Sequence, residues 1–306
     1  MLIRELESAQ VFENGERTGK HSAAIWQLQH PDPHNPTYLM NATLKLSNNV
    51  EMCIPNGLLL KRTPYKQPIF TANLTPMHTV VDLHLDQCRD GLIQCIGNGK
   101  KVVLMWPNAE PNRKLMRDHS NHQMKFIRIG QLLQGGIITI MDSSIGLVMS
   151  TGTIHMTITL EAGVLVGLNW VAAECHRAAA RCVEYEICAN LENDFSTVLG
   201  IYADQLEASL DGWDEVRHQE VLEDWIIIYP LLVTACNLPS KETVIELQRG
   251  HQALEKFLQS PQASHLPDDF RRNFQDSHMK DLNLLIQAGK KVSKKGEKPP
   301  KKPRKL

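Results

Sequence analysis

His84 and Asp86 stand two residues apart in the run TVVDLHLDQC, at 79–88. On a β-strand, residues i and i+2 project from the same face, so the imidazole and the carboxylate are presented together. Val81, Leu83 and Leu85 alternate with them and are expected to face the other way and pack. A third ligand must come from a distant strand. His155, directly after the Thr151-Gly152-Thr153 turn, is the candidate. Two histidines and one carboxylate on one face of an octahedral metal leave three positions open. That arrangement suits non-haem Fe(II), which must hold a bidentate cosubstrate and then oxygen.

The elements that would position these residues follow from the pattern of the chain. Short apolar or alternating runs occupy 39–47, 50–54, 79–86, 91–97, 101–107, 136–142, 145–150, 153–160 and 163–170, and most are separated by Gly, Asn, Asp or Pro. Many short strands with turn signals between them predict a β-sandwich or barrel. A helical stretch at 116–136 interrupts the series. Residues 1–37 read as a loosely structured N-terminal extension, with three prolines in HPDPHNPTY at 30–38. After Trp170 the apolar period changes to three and four, which predicts helices over 171–210, about 213–235, 237–259 and 266–289. Trp213, Trp225, Ile226, Ile227, Ile228 and Tyr229 form the most apolar cluster of this region and are expected to pack in its core.

The 306 residues, 42% hydrophobic and 22% charged, can build a sizeable core and exclude a wholly disordered chain, a collagen or a coiled-coil rod. No apolar run reaches a membrane-spanning length, and the first twenty residues lack the apolar centre of a secretory signal. Seven cysteines without a CxxC pair argue for a reducing compartment. Cys175, His176, Cys182 and Cys188 could in principle bind zinc. The seven-residue spacing of Cys175 and Cys182 on one helix face reads better as small buried hydrophobes. The net charge of −1 hides an uneven distribution. Residues 290–306 carry nine Lys or Arg and one Glu, whereas the rest of the chain sums to −9. Pro299, Pro300 and Pro303 break any helix in this segment. It reads as a disordered basic tail, a nuclear-import signal with weak, salt-sensitive affinity for nucleic acid.

The stretch Thr79–Trp106 resembles the first half of the jumonji-C core, the Fe(II)/2-oxoglutarate oxygenase domain of histone lysine demethylases. Asp82-Leu83-His84-Leu85-Asp86 matches its first metal motif, and Lys101 follows His84 by seventeen residues, after Gly97-Asn98-Gly99-Lys100. Ser150-Thr151-Gly152-Thr153-Ile154-His155 matches the second histidine turn. Gly167-Leu168-Asn169-Trp170 matches the strand that leads into helices. The resemblance covers roughly residues 38–170. It implies a mainly β core, a double-stranded β-helix or cupin-like jelly roll over 38–174, with a helical region at 175–289 and the tail at 290–306.

As metal ligands for Fe(II), the resemblance implies His84, Asp86 and His155, with no catalytic residue beyond them. For the 2-oxoglutarate cosubstrate it implies Lys101, Gln94 and Asn169. Lys101 would pair with the far carboxylate, and Lys100 would point to solvent. Close relatives have a threonine where this chain has Val81, an aromatic residue or asparagine where it has Gln94, and a tryptophan where it has Thr153.

The implied activity is oxidation of a C–H bond coupled to decarboxylation of 2-oxoglutarate. A hydroxylated N-methyl group collapses to formaldehyde and the demethylated amine. The expected function is a nuclear demethylase of methyl-lysine on histones. The alternatives are a protein or RNA hydroxylase of the same chemistry, or a catalytically degenerate, chromatin-associated interaction module. The expected partners are a histone or other protein substrate, nucleic acid through the tail, and a second copy through the helical region, with no membrane.

Overall fold

The computed structural model describes residues 9–13, 16–17, 20–43, 69–86, 88–120, 122–188, 195–211, 218–235, 241–284 and 286–287. The strand expected at 50–54, Trp213 and the basic tail lie outside the described residues.

Among the described residues, eleven strands form two antiparallel sheets. They are β1 Gln10–Glu13, β2 Glu16–Arg17, β3 Thr37–Thr43, β4 Ile69–Thr75, β5 Val80–Leu85, β6 Asp90–Ile96, β7 Lys100–Trp106, β8 Ile137–Met141, β9 Gly146–Met149, β10 Ile154–Glu161 and β11 Gly163–Trp170. The larger sheet has the order β2-β1-β3-β4-β11-β6-β9 and the smaller one β5-β10-β7-β8. Ile93, Cys95, Val103, Met105, Met141, Met149 and Leu165 pack in one cluster contributed by strands of both sheets. The register explains which residues face this interior. Lys101 pairs with Thr159, and Val103 pairs with Thr157, so alternate residues of β7 and β10 share one face.

The N-terminal segment differs from the expected loose extension. Strands β1 and β2 extend the larger sheet beyond β3, and helix α1, His21–Gln27, packs on it through Ala24. Ala9, Val11 and Ala24 bury themselves against Leu39, Ala42, Ala72 and Leu74. The ordering comes from this tertiary packing and from Gln27. Its side chain accepts the backbone N–H of Thr37 at 2.7 Å and donates to Asn35 O at 3.0 Å, closing the proline-rich loop. The single helical stretch expected at 116–136 is two shorter helices, α2 Glu110–Asp118 and α3 Lys125–Ile129. Met124 takes a left-handed conformation at the start of α3. Gly136 then leads into β8, where a Cβ would overlap the Trp106 ring.

Helices α2 and α3 supply Met116 and Ile129 to the cluster on the outer face of the smaller sheet, with Leu83, Trp106, Ile154 and Met156. Beyond β11 come α4 His176–Cys188, α5 Phe195–Asp211, α6 His218–Ala235, α7 Lys241–Leu258 and α8 Asp268–Asn273. Helical residues outnumber strand residues among the described positions, so the molecule is not a mainly β one. Of the apolar cluster foreseen in α6, Trp225 and Ile228 are buried, Ile226 packs against that core, and Ile227 is exposed. Trp225 stacks on Tyr202 of α5 with ring centroids 5.9 Å apart. Tyr185 of α4 reaches back to the outer face of the smaller sheet. No helix among the described residues is long and apolar enough to cross a membrane.

Candidate metal centre

Strands β5 and β10 pair antiparallel, and His155 lies directly opposite His84. The two rings have centroids 4.1 Å apart. Asp86, just past the end of β5, places Oδ1 3.8 Å from His84 Nε2 and Oδ2 3.9 Å from His155 Nε2. All three ligand atoms lie within 4.8 Å of one another, so this group could hold a metal ion.

Backbone carbonyls fix which ring nitrogen is free. His84 Nδ1 donates to Asp82 O at 2.8 Å, and His155 Nδ1 donates to Thr153 O at 3.1 Å. Both Nε2 lone pairs are then left for a metal, the usual arrangement behind a ligating imidazole. Burial and the adjacent His155 ring push the His84 imidazole down to about 4, which keeps it in the neutral, ligating form at pH 7. Two imidazoles and a carboxylate are the donor set that suits Fe(II).

The local fold that delivers these groups contains a β-bulge. His84 is opposite His155 but Val81 is opposite Thr157, so β5 uses one more residue than β10 over the same span. A bulge of this kind re-aims the side chains on one side of it. Its effect is to turn Val81 to the face of His84, where strict alternation put it on the other. Val81 lines the same cavity as the triad, whereas Leu83 is buried in the outer cluster. Asp82, in the bulge, faces outward. Its carboxylate accepts the backbone N–H groups of Lys125 at 2.5 Å and Phe126 at 3.0 Å, at the first turn of α3.

The turn before His155 is held from β6. Buried Asp90 accepts from Thr151 N at 2.8 Å and from Thr151 Oγ1 at 2.9 Å. Gly152 has φ +78°, and a Cβ there would overlap Asn108 and approach Cys182 Sγ to 2.9 Å. The turn therefore requires a glycine on two counts, conformation and space.

The triad opens on a cavity of about 190 Å³ between the sheets. Lys101 lies in its wall, 2% exposed. Its Nζ donates to Thr75 Oγ1 at 2.6 Å and to Thr159 Oγ1 at 2.7 Å. No carboxylate pairs with it among the described residues, and burial lowers its pKa to about 8. A buried ammonium satisfied only by hydroxyls is costly, and an anion entering the cavity would offset that cost. Lys100 points out and approaches Glu161 at 3.8 Å.

Asn169 also lines the cavity. Gln94 does not, and its expected place at the cosubstrate is corrected here. Its neighbours Ile93 and Cys95 take the interior face, and Gln94 Nε2 donates to Ser143 O at 3.0 Å on the other side of the sheet. The polar wall that the sequence reading missed is β4, which contributes Thr71, Asn73 and Thr75. A signal for it existed in IFTANLT, 69–75, where Phe70, Ala72 and Leu74 alternate with those three polar residues between Pro68 and Pro76.

Among the described residues, Cys175, His176 and Cys182 are not gathered into a metal site; the side chain of Cys188 lies outside them. His176 Nδ1 is 2.8 Å from Asp224 Oδ2, Cys175 Sγ donates to Asp90, and Cys182 is buried in the helical core. Neither a protein-family model nor a curated protein matches the chain.

Proposed function

We propose that the chain is an Fe(II)- and 2-oxoglutarate-dependent oxygenase of the jumonji-C kind, acting on methyl-lysine of histones. The observation that carries this reading is the pairing of the His84–Asp86–His155 group with a buried, otherwise uncompensated Lys101 in one cavity. The fold supports it as well. Strands β4 to β11 distribute as β4-β11-β6-β9 and β5-β10-β7-β8. These two antiparallel four-strand groups are compatible with the expected double-stranded β-helix, with β1, β2 and β3 added at one edge.

When bound, iron and 2-oxoglutarate supply the activation of oxygen and the oxidation of a C–H bond. The chain's own residues do the rest. His84, Asp86 and His155 would hold the metal on one face and leave the opposite positions free. The carbonyls of Asp82 and Thr153 keep both rings oriented. Lys101, held by Thr75 and Thr159, would neutralise the far carboxylate of the cosubstrate, and Asn169 would donate to it. The apolar residues Ile93, Met149 and Leu165 limit water in the same space. The basic tail at 290–306 fits this reading as a nuclear-import and nucleic-acid-binding segment.

Val81 favours a second reading, because a hydrocarbon side chain lines the cavity where relatives present a hydroxyl to the cosubstrate. On that reading the metal site persists and turnover is lost, leaving a chromatin-associated module. Incubation of the full chain with Fe(II), 2-oxoglutarate and a panel of methyl-lysine histone peptides separates the two. Succinate and formaldehyde release that disappears in His84→Ala supports the demethylase. Succinate without formaldehyde moves the substrate to a hydroxylated protein side chain or RNA. Metal binding with neither product supports the inactive module.

A further inference from the structure

Strand β8 ends the smaller sheet, and among the described residues one of its edges has no neighbour. Its five residues, Ile137-Ile138-Thr139-Ile140-Met141, contain no charge and no proline, and their pairing with β7 runs without a bulge. Ile137, Ile138 and Ile140 are 61%, 69% and 52% exposed. An edge strand with none of the usual guards is a template for pairing with another chain. The other sheet edges differ. β2 is Glu16 and Arg17, β5 carries Asp82, His84 and a bulge, and β9 has no large apolar side chain in the exposed class.

The unguarded edge continues into an apolar row. Across the smaller sheet Ile140 pairs with Val102, Val102 with Ile158, and Ile158 with Val80. Ile140 and Val80 at the two ends are half exposed, while Ile158 between them packs partly against the cluster that holds Met116 of α2 and Ile129 of α3.

We propose that β8 is a self-association edge, at which a second copy of this chain adds its own β8 antiparallel about a two-fold axis. The strand is self-complementary in that arrangement. With the axis at Thr139, Ile138 of one copy lies opposite Ile140 of the other, both on the outer face. Ile137 lies opposite Met141 on the inner face. The apolar row then runs unbroken through an eight-stranded sheet, and the free N–H and C=O groups of both edges are paired. A closed pair of this kind is the isologous contact most homo-oligomers use. A five-residue strand buries less than a standard interface, so the pair should be a reversible one of micromolar strength. This inference is independent of the proposed activity, because no residue of the cavity takes part.

The test is sedimentation velocity of the full chain over a range of concentrations, with hydrogen exchange of residues 137–141 followed in parallel. The expected result is a monomer–dimer equilibrium in which β8 amides exchange more slowly as concentration rises. Ile138→Lys with Ile140→Lys places cations opposite one another and should weaken the dimer at least a hundredfold. The gentler pair Ile138→Thr with Ile140→Thr keeps strand propensity and should weaken it about tenfold. Ile227→Lys, on the exposed face of α6, should leave it unchanged. A wild-type chain that stays monomeric, an open-ended aggregate, or a dimer dissolved by Ile227→Lys and not by the β8 variants would overturn the proposal.

Discussion

Lys101 is costly to bury with hydroxyl partners alone, and on the proposed reading an incoming anion offsets that cost. Its folded-state pKa, about 8, lies below the usual lysine value of 10.5, so the unfolded chain binds the proton more tightly. Stability of the metal-free, cosubstrate-free chain should therefore rise as pH increases from about 8 to 10.5. Below pH 8 the full penalty, about 3 kcal/mol, is present. Lys101→Met should raise the melting temperature at pH 7 and reduce 2-oxoglutarate affinity at least a hundredfold while metal still binds. Calorimetry on the same sample reads both. A variant that melts lower and binds the cosubstrate normally would remove Lys101 from the site. Val81→Thr should act in the other direction. A hydroxyl at that wall adds one hydrogen bond, roughly 1 kcal/mol, and should tighten cosubstrate binding about fivefold. Residue type and spacing brought out His84, Asp86 and His155 as a candidate metal group, and the family resemblance brought out Lys101. Thr75 and Thr159, which hold Lys101, were not legible, because a threonine in a strand looks the same whether it faces water or a buried ammonium.

Strands β5 to β11 were legible from their alternation and their Gly, Asn and Asp turns. β4 and the N-terminal elements were not, for two physical reasons. β4 turns polar residues inward to the cavity, which inverts the usual pattern. The N-terminal elements acquire order only by packing on β3 and β4. The bulge in β5 was hidden as well, since strict alternation over 81–86 contains no sign of the extra residue. That bulge joins two jobs in Asp82, whose backbone O orients His84 while its carboxylate caps α3. Asp82→Ala separates them. The cap is lost at a cost of about 1–2 kcal/mol in denaturant unfolding, and the carbonyl, and with it metal affinity, should be retained. A large loss of metal affinity without loss of stability would show that the carboxylate, and not the backbone, positions His84.

The β-sheets and the helices after Trp170 do not have separable cores. Cys88, two residues beyond the candidate metal ligand Asp86, is buried among Val171, Ala179, Cys182 and Val183, and its Sγ donates to Ala179 O at 3.5 Å. Tyr185 of α4 packs with Leu83, Trp106 and Met156 on the outer face of the smaller sheet. Gln205 of α5 donates to Ala172 O, and Ser209 Oγ donates to Ala173 O at 2.7 Å, so the exit of β11 is also held by helices. Removing residues 175–289 would strip apolar cover from the loop after Asp86 and from the strand that carries His84. Burial of even a few such side chains is worth about 1.5–3 kcal/mol each, comparable to the whole stability of a domain when summed. The fragment 1–174 should therefore be insoluble or unfolded and should not bind Fe(II). The full chain without 290–306 should fold and bind metal as before, because the described cavity residues all lie outside that segment. Expression of both, with circular dichroism and metal titration, checks this. A soluble 1–174 fragment with native metal affinity would mean that the sheets bury enough between themselves and that the helices serve assembly rather than the barrel.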